Sequence, residues 1–369
     1  MKCNLDLPDY LTTQVPEQDL QGFVTQAIQE KLQRDPGFVQ QASLKLIQLG
    51  QGLMVSQVLF SLAKLGIPTL LDQGSHTVTT IAKVAGCDAC TLRRYLRAAA
   101  TMGVFRESGD DRFEHTPLSQ KFDLLASCYF DERAYQAWNQ ATYTLQSGKP
   151  GWPVAYGMSF YEYLTSSPEI YSEFSRWNTR TTVEWLLPLV DAYDFSTFKR
   201  LVDVGGGEGN TLARILANNP HLQGVLFDQP QVVESARGII DQVGVGDRCE
   251  YVGGSFFERI PSGGDLYILS RVLLNWSDEQ ALAILNNCRR AMGTTSKLLV
   301  IDVLIPSPEH PSYQTLVFND LNLLMTMGGT NRTQNEWHSL IKQAGFNISC
   351  IVPAPIPSLL SLIEAKPRT

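Results

Sequence analysis

The sequence is short of basic residues and of histidine. It has 30 Lys and Arg against 37 Asp and Glu, a formal net charge of −7 at pH 7, and only five His in 369 residues. Nucleic acids and anionic membranes attract basic surfaces, so this balance disfavours both as partners. The hydrophobic fraction of 44% is that of a globular protein and argues against extended disorder.

Cysteine is present, but not in patterns that carry structure or metal. The seven Cys are scattered without a dense disulfide framework, which favours a reducing, cytoplasmic setting. Cys87 and Cys90 form one CxxC motif, and the second pair of ligands that a zinc site would need does not follow. We therefore predict no metal. The opening segment "MKCNLDLPDYLTTQ" has no long apolar run, so no signal peptide is expected.

Long uncharged runs are also rare, with one exception at residues 46–63. This stretch, "LIQLGQGLMVSQVLFSLA", carries no charge and reaches the ~18 residues at which a membrane span is considered. It also holds three Gln, two Gly and two Ser. Leu46, Leu49, Leu53 and Phe60 fall roughly on one helical stripe. A helix buried between domains or subunits fits this pattern better than a membrane helix.

Residues 77–119 carry a helix–turn–helix pattern followed by a hairpin signal. Thr79 or Thr80 can cap a short helix that ends at Gly86, and a second helix is predicted from about Asp88. "VFRE" and "RFEH" then flank "SGDD", which is typical of a hairpin. Together these elements predict a winged-helix outline.

A winged helix raises the alternative of a DNA-binding regulator. Arg93, Arg94 and Arg97 lie on the second predicted helix, off its apolar face. Three arginines on an acidic protein are also typical of a solvent-exposed helix surface. The charge balance and the second half of the chain make the regulator the weaker hypothesis.

The chain is long enough for two domains, and its pattern changes near residue 200. Beyond that point strands alternate with helices, which predicts an α/β domain with a mostly parallel sheet. Before it, an aromatic-rich stretch suits core packing or a pocket for a flat substrate. We expect a helical, winged-helix domain at 1–120, a helical linker contributing to the substrate pocket at 121–195, and the α/β domain at 196–369. The predicted strands are 200–204, 224–228, 249–254, 265–272, 297–305, 347–353 and 359–365.

The most informative segment is "LVDVGGGEGNTLARIL", residues 201–216. A buried strand leads into Gly205–Gly207 and Gly209, and glycines there let the backbone turn tightly and approach a ligand closely. The next strand ends in Asp228, where a carboxylate can accept hydrogen bonds from both ribose hydroxyls. Glu208 inside the loop would repel a pyrophosphate, but not a sulfonium with an amino-acid tail. The pattern therefore favours S-adenosylmethionine over NAD.

The motifs of the second half, taken together, resemble those of a known family. "VDVGGGEG", "DQP", "GGSFF", "RVLLNWSDE", "VLIP" and "MGGTNRTQNEWHSLIKQAGF" occur in the order and spacing of the family 2 O-methyltransferases. These are the caffeate and hydroxyindole type, with bacterial relatives in antibiotic biosynthesis. The resemblance spans roughly residues 40–366. It implies a class I methyltransferase domain, with a Rossmann-like seven-stranded sheet, behind an N-terminal dimerisation domain.

The resemblance also implies S-adenosylmethionine as the cofactor, a homodimer, and a small hydroxylated, often aromatic acceptor. Its cofactor residues are the loop glycines, the ribose acid, an adenine-side pair in which Ser replaces the usual Asp, and a pair near the methionine end. In this chain they are Gly205, Gly206, Gly207, Gly209, Asp228, Ser255, Phe256, Ser270 and Arg271. We expect the acceptor pocket to be shaped by Trp138, Asn178, Leu274, Asn275, Asp302 and Asn331.

The motif that normally carries the catalytic base departs from the family pattern. The family typically has "LHDW", whose His takes the proton from the acceptor hydroxyl, whereas this chain has Leu274 and Asn275 at the middle positions. Asp302 stands where Glu is usual, and Asn331 stands where "GGRERT" would place Glu. Asp302 is thus the one candidate base left from the family's constellation. The five histidines fall elsewhere, at positions 76, 115, 221, 310 and 338.

Leucine cannot accept a proton, so the usual general-base step, typically worth ~10²–10⁴-fold, is absent. Methyl transfer remains possible when the acceptor is already an anion or has a free lone pair, because proximity and orientation can supply most of the rate. A bound sulfonium could instead promote a rearrangement, cyclisation or hydroxylation through its charge. We expect O-methylation of a secondary-metabolite-like acceptor, with those reactions and the regulator as alternatives.

Overall fold

The computed structural model describes residues 36–72, 74–122, 132–353 and 358–368. The chain forms two units, Met1–Ala126 and Ser127–Thr369. The opening segment, where no signal peptide is expected, lies outside the described residues.

The first unit packs helices against a small antiparallel sheet of order β1-β3-β2. A buried apolar cluster that includes Ile81, Leu96 and Phe113 joins the helices to the sheet. The elements are α1 (Pro36–Gly50), α2 (Gly52–Lys64), α3 (Ile67–Leu71), β1 (His76–Thr77), α4 (Val78–Ala85), α5 (Ala89–Thr101), β2 (Phe105–Glu107), β3 (Arg112–His115) and a 3-10 turn at Ser119–Lys121.

The helix, turn, helix and hairpin predicted for residues 77–119 are present as α4, α5, β2 and β3. One cap differs from the prediction. Thr77, rather than Thr79 or Thr80, begins α4, because the Thr77 hydroxyl accepts the Thr80 backbone N–H at 3.3 Å. Gly86 ends this helix in the left-handed conformation, with φ of 68°, as its lack of a side chain allows.

Two of the three arginines on α5 form ion pairs within the first unit. Arg93 donates to Asp111 at 2.5 Å, and Arg97 donates to Glu107 at 3.0 Å. Both carboxylates belong to the hairpin that follows the helix. These ion pairs neutralise charge that contact with a DNA backbone would need.

The uncharged stretch at 46–63 forms parts of α1 and α2, and its apolar stripe faces outward. Leu46 is 72% exposed and Leu53 is 65% exposed, so packing within the unit does not bury these stripe residues. Among the described residues, no single helix is long and apolar enough to cross a membrane. The segments Gln40–Gly50 and Gly52–Lys64, bent by 41°, meet the length and composition criteria only as a pair.

The second unit begins with short helices that are rich in aromatic residues. Trp152 lies 4.5 Å from Tyr156, 4.9 Å from Phe160 and 5.3 Å from Tyr163 between ring centroids, so these side chains mainly pack on one another. The helix pair expected at 168–195 is one helix that passes through a π-helical turn at Thr182–Leu186. The helices are α6 (Glu132–Trp138), α7 (Ala141–Ser147), α8 (Trp152–Tyr156), α9 (Phe160–Thr165), α10 (Pro168–Thr181) and α11 (Leu187–Asp191).

From Arg200 onward strands and helices alternate, and the strands form a sheet of order β10-β11-β8-β7-β4-β5-β6. The five strands from β8 to β6 in this order pair in parallel, and β10 and β11 add an antiparallel edge. The elements are β4 (Arg200–Val204), α12 (Asn210–Asn218), β5 (Gln223–Asp228), α13 (Pro230–Val243), β6 (Cys249–Gly253), β7 (Leu266–Ser270), α14 (Asp278–Ala291), β8 (Lys297–Ile305), α15 (Tyr313–Met327), β9 (Arg332–Thr333), α16 (Gln334–Gln343), β10 (Phe346–Pro353) and β11 (Leu360–Pro367).

The class I arrangement of a doubly covered sheet is confirmed. Every predicted strand is present with its ends within two residues of those expected, and two differences bear on the site. The two-residue strand β9 pairs with β8 as an eighth, unpredicted strand. Strand β7 ends at Ser270 rather than at residue 272, because Arg271 adopts φ of 55° and turns the chain out of the sheet. Leu274 therefore lies in a 3-10 turn, Leu273–Asn275, beyond the strand.

Candidate active site

The glycine loop joins β4 to α12 at the carboxyl edge of the parallel strands, where ligands of open α/β sheets bind. Gly205, Gly207 and Gly209 have φ values of 72°, 57° and 76°, which L side chains rarely adopt. Gly206 is restricted by space, because an added Cβ would lie 2.5 Å from Leu226 Cδ1. The loop thus presents its backbone without side chains, as close approach to a nucleoside requires.

Asp228 ends the neighbouring strand β5 and reaches back to this loop. Its Oδ2 accepts the Gly207 backbone N–H at 2.9 Å, and its Oδ1 accepts the Gln229 N–H at 2.7 Å. Burial raises the pKa of this carboxyl, although the two backbone hydrogen bonds act in the opposite direction. A strand-end carboxylate placed beside a glycine loop fits a ribose with two free hydroxyls.

Asp203 is a second acid at the loop, and the sequence analysis assigned it no role. Its side chain is 1% exposed and lies under Gly206, with Oδ2 2.8 Å from the position of an added Cβ. Neither carboxyl oxygen has a hydrogen-bond partner among the described residues. Burial, and then the charge of Asp228, raise its pKa to about 7. The carboxyl of Asp203, which lies beneath the glycine loop, is therefore partly neutral near pH 7.

Ser255 and Phe256, expected on the adenine side, follow strand β6. Phe256 Cε1 lies 3.7 Å from a Cβ placed on Gly205, so its ring borders the glycine loop. Asn287 holds this segment by donating to the Phe256 carbonyl at 2.7 Å. Trp276 meets the Phe256 ring edge-on, with 5.9 Å between centroids. An apolar aromatic wall thus stands beside the loop, as a flat base would need.

Ser270 ends strand β7 next to β4, and Arg271 follows it. The Ser270 hydroxyl is buried without a hydrogen-bond partner among the described residues. Arg271 Nη1 donates to Thr181 Oγ1 at 2.8 Å, and Nη2 donates to Thr182 Oγ1. Burial lowers the pKa of Arg271 to about 10, and the Asp302 charge acts against that shift. Arg271 is therefore a partly desolvated cation at the carboxyl edge of the sheet.

The turn that carries Leu274 is fixed by Asp302 on strand β8. Asp302 Oδ2 accepts the Leu274 N–H at 3.0 Å, and Oδ1 accepts the Val303 N–H at 2.8 Å. Burial raises the pKa of Asp302 to about 7. Each carboxylate oxygen of Asp302 thus already accepts one backbone hydrogen bond. The candidate base and the residue at the expected base position are joined through the main chain rather than by side-chain contact.

The remaining pocket candidates lie in the same unit but on several elements. Asn275 Nδ2 donates to the Arg271 carbonyl at 3.1 Å. The Asn178 carbonyl accepts from Arg271 at 3.5 Å, and Trp138 Nε1 donates to Asn322 on α15 at 2.9 Å. Asn331 Nδ2 donates to Asn319 on the same helix at 2.8 Å. The structure therefore groups Asn178 and Asn275 at Arg271, and Trp138 and Asn331 at α15.

Arg332 organises the Leu274 turn, and the sequence analysis missed it. Its guanidinium is buried and donates from Nη1 to the Leu273 carbonyl at 3.0 Å and from Nη2 to the Trp276 carbonyl at 3.0 Å. Nε donates to Asp278 at 2.8 Å. The preceding loop touches the turn directly, because the Thr330 N–H donates to the Leu274 carbonyl at 2.9 Å. Position 274 is thus held by main-chain contacts on two sides.

Replacing Arg332 with Met should destabilise the second unit without touching a ligand. The change leaves the Leu273 and Trp276 carbonyls without their donor, whereas the Asp278 carboxylate is 72% exposed and keeps its hydration. At about 1–3 kcal/mol for each unsatisfied group, the loss is about 3–5 kcal/mol of unfolding free energy. At about 2–4 °C per kcal/mol for a unit of this size, the melting temperature should fall by roughly 6–20 °C. Arg214→Met removes a surface pair with Asp191 and should cost at most about 1 kcal/mol. Equal losses in both variants would contradict this assignment.

Comparison with known proteins agrees with the geometry. The family model of the O-methyltransferase domain matches residues 138–347, and the model of the O-methyltransferase dimerisation domain matches residues 47–123. Phenazine O-methyltransferase PhzM of Lysobacter antibioticus is 37% identical over 332 residues, covering 87% of this chain and 95% of that protein.

Solved structures give the same result. Mitomycin 7-O-methyltransferase MmcR superposes with a TM-score of 0.82 at 32% identity, covering 90% of this chain and 100% of that one. The O-methyltransferase NcsB1 from neocarzinostatin biosynthesis, in complex with S-adenosylmethionine and 2-hydroxy-5-methyl naphthoic acid, superposes with a TM-score of 0.73 at 28% identity, covering 85% and 96%. The chain therefore belongs to the O-methyltransferase family and is an S-adenosylmethionine-dependent methyltransferase with the family's dimerisation domain.

Proposed function

We propose that this enzyme methylates a hydroxyl oxygen of a small, flat natural-product acceptor without a protein general base. Asp228 holds the ribose, the loop at Gly205–Gly209 carries the methionine portion, and Ser255 with Phe256 borders the adenine. When bound, the cofactor would supply a methyl group on a positively charged sulfur, which can leave as a neutral thioether when an acceptor oxygen bonds to the methyl carbon. The relative that acts on a phenazine and the neighbour that holds a hydroxynaphthoic acid favour a fused aromatic acceptor.

The main support for a reaction without a protein base comes from the surroundings of Asp302. We infer that Leu274 occupies the position of the family's catalytic His, and its alkyl side chain cannot accept a proton. Asp302 remains in the neighbourhood, but its two oxygens accept the Leu274 and Val303 backbone N–H groups. The side chain of Asp302 is also only 1% exposed, which closes it to an acceptor hydroxyl, so we assign Asp302 a positioning role: it fixes the turn. The proton must leave the acceptor hydroxyl before the acceptor reaches the site.

No described histidine is hydrogen-bonded to the turn that carries Leu274. His115 bonds to Asp72 and Ser119 in the first unit, and His221 bonds to the Phe195 carbonyl. His310 accepts the Ser312 N–H at 3.2 Å, in the loop before α15. We therefore propose acceptors whose hydroxyl is acidic enough to ionise near neutral pH, since an anion needs no base.

The active form is proposed to be a homodimer. The dimerisation model covers residues 47–123, and the exposed apolar stripe on α1 and α2 belongs to the same region. Burying that stripe against a second copy would remove its side chains from water, at ~25 cal/mol per Å² of apolar surface. Pocket roles for Trp138, Asn178, Asn275 and Asn331, and the domain limits at 120 and 195, remain predictions.

A methyl-transfer assay tests this function. The full-length protein is incubated with methyl-labelled S-adenosylmethionine and a panel of hydroxylated phenazines and naphthoates, each paired with its amino counterpart. We expect label in the product of the most acidic hydroxyls and little in weakly acidic phenols. A panel in which the cofactor binds but no acceptor gains label would contradict the proposal and favour a different reaction promoted by the bound sulfonium.

A further inference from the structure

A groove lies between helix α16 and strand β10, at one end of the large sheet. Its volume is about 650 Å³, within the ~300–1,000 Å³ typical of ligand sites. Three strands separate β10 from β4, and both strands run in the same direction. The groove is lined by the start of β10, at Phe346, whereas the glycine loop follows the end of β4. It therefore lies at the edge of the sheet opposite the cofactor site, and methyl transfer does not use it.

The groove combines an apolar floor with basic side chains on one wall. Ile341 and Phe346 are buried beneath it, and Ile348 is half-buried beside them. His338 and Lys342 stand one turn apart on the exposed side of α16. Such a surface suits a ligand that carries both an apolar group and negative charge.

The wall formed by β10 is a free sheet edge. The strand pairs with β11 on one side, and on its other side no strand of the described residues pairs with it. A register shift between Ile348 and Cys350 interrupts the ladder, so the regular edge before the shift is Phe346–Ile348, which lines the groove. The unpaired backbone N–H and C=O groups of an edge strand can pair with another extended chain.

Three cations meet around Gly345, where α16 turns into β10. Arg289 Nη2 donates to the Arg368 carbonyl at 3.0 Å, and the Arg368 N–H donates to the Gly345 carbonyl at 2.8 Å. The Gly345 N–H donates to the Lys342 carbonyl at 3.1 Å. We call Arg289, Lys342 and Arg368 the basic cluster. Among the residues that the structure describes, none of its members forms an ion pair.

Acidic side chains are missing from the sequence around this cluster, although the chain has a net charge of −7. Residues 337–353 and 365–368 contain no Asp or Glu. Glu336 caps the other end of α16, and Glu364 on β11 pairs with Lys297. Like charges gathered without a carboxylate repel one another and attract an anionic partner.

We propose that the groove binds an extended, acidic peptide segment of a partner protein, which adds to β10 as a further strand. The peptide backbone bonds to the free edge at Phe346–Ile348, an apolar side chain lies against Ile348, and carboxylates meet the basic cluster. A nucleic acid is disfavoured as the occupant, because the apolar floor and the free edge match a peptide and the chain as a whole is acidic. The groove also lies outside residues 47–123, which match the dimerisation model.

Fluorescence anisotropy with short labelled peptides tests this surface on the full-length protein. The probe is a hexapeptide of alternating glutamate and valine, and its counterpart has lysine in place of each glutamate. We expect the wild type to bind the acidic peptide with a Kd of roughly 10–100 µM and not to bind the basic one. Lys342→Glu combined with Arg368→Glu should weaken binding about 5- to 30-fold, because two exposed charges are reversed.

Two N-methylated forms of the acidic peptide distinguish strand addition from charge attraction alone. The N–H groups of successive residues in a strand point to opposite edges. Methylating the valine nitrogens therefore blocks one edge of the peptide, and methylating the glutamate nitrogens blocks the other. One form should bind at least about tenfold more weakly than the parent peptide, and the other should bind as the parent does. Equal binding of both forms and the parent would overturn the proposal, as would equally tight binding of an oligonucleotide of the same charge.

A matched variant controls for the change in net charge. Lys149→Glu combined with Lys199→Glu reverses two exposed lysines that do not line the groove, and it should leave peptide binding within about twofold. The affinity for S-adenosylhomocysteine should be unchanged in both double variants, because the cofactor site lies at the other edge of the sheet. Equal losses of peptide binding in the two double variants, or a wild type that does not bind the acidic peptide, would refute the peptide site while leaving the methyltransferase assignment intact.

Discussion

Asp228→Ala should abolish practical cofactor binding, lowering the affinity for S-adenosylhomocysteine by about 10²–10⁴-fold. The carboxylate is expected to accept hydrogen bonds from two ribose hydroxyls, and a hydrogen bond to a charged group is worth about 1.5–3 kcal/mol. The same change removes the acceptor of the Gly207 N–H, so the glycine loop loses an anchor as well. Isothermal calorimetry on the purified full-length protein measures the effect directly.

Two further variants serve as controls for the Asp228→Ala measurement. Asp228→Asn keeps one acceptor oxygen and should lose less affinity than the alanine variant. Asp247→Ala removes an exposed acid in the turn before β6, on the far side of that strand from its ligand-facing end, and should leave affinity unchanged. If Asp228→Ala bound S-adenosylhomocysteine as tightly as the wild type, Asp228 would not be the ribose ligand.

Leu274→His should extend the enzyme to acceptors that the wild type leaves unmethylated. The wild type is expected to need an acceptor hydroxyl that is already ionised, whereas a histidine in the turn could remove the proton from a weakly acidic phenol. General-base catalysis is typically worth ~10²–10⁴-fold. Asp302 is occupied by backbone N–H groups and can orient the new imidazole only weakly, so we expect a gain near the lower figure. Initial rates with one acidic and one weakly acidic phenol measure it.

The matched controls for this gain differ in size and in chemistry. Leu274→Met keeps an apolar side chain of similar volume and should leave the rates with both phenols nearly unchanged. Leu274→His combined with Asn331→Glu restores both residues that the family pattern has at these positions and should raise the rate with the weakly acidic phenol further. Were the wild type already as fast with that phenol as with the acidic one, a base would be at work and the account would be wrong.

Regular patterns of side chains predicted the sheet well, because a strand buried on both faces is a continuous apolar run. Strand β4 was predicted at its observed limits and β8 likewise. The predicted end of β7 was wrong, because nothing in "LSRVLL" indicates that Arg271 adopts a positive φ. Most non-glycine residues avoid that conformation. The cap of α4 was misplaced by two or three residues, because three threonines compete for one position.

The parts of the candidate site that lie within local sequence motifs could be predicted. The glycine loop and Asp228 follow from a strand–loop–helix pattern, and the geometry between them is short-range in the sheet. Arg332 contacts the Leu273 carbonyl 59 residues away, and Glu208 meets Ser175 33 residues away. Such pairings depend on how helices pack on the sheet, which side-chain periodicity does not encode. The outward apolar stripe of α1 and α2 was expected to be buried, and its burial depends on a partner surface.

The pH dependence of kcat/KM, measured with two phenolic acceptors of well-separated pKa, tests the absence of a protein base most directly. If the acceptor must ionise before it binds, the rising limb of each profile should follow the pKa of that acceptor. A limb that stayed near pH 7 for both acceptors would match Asp302, whose pKa burial raises to about 7, and would show that this carboxylate takes the proton after all.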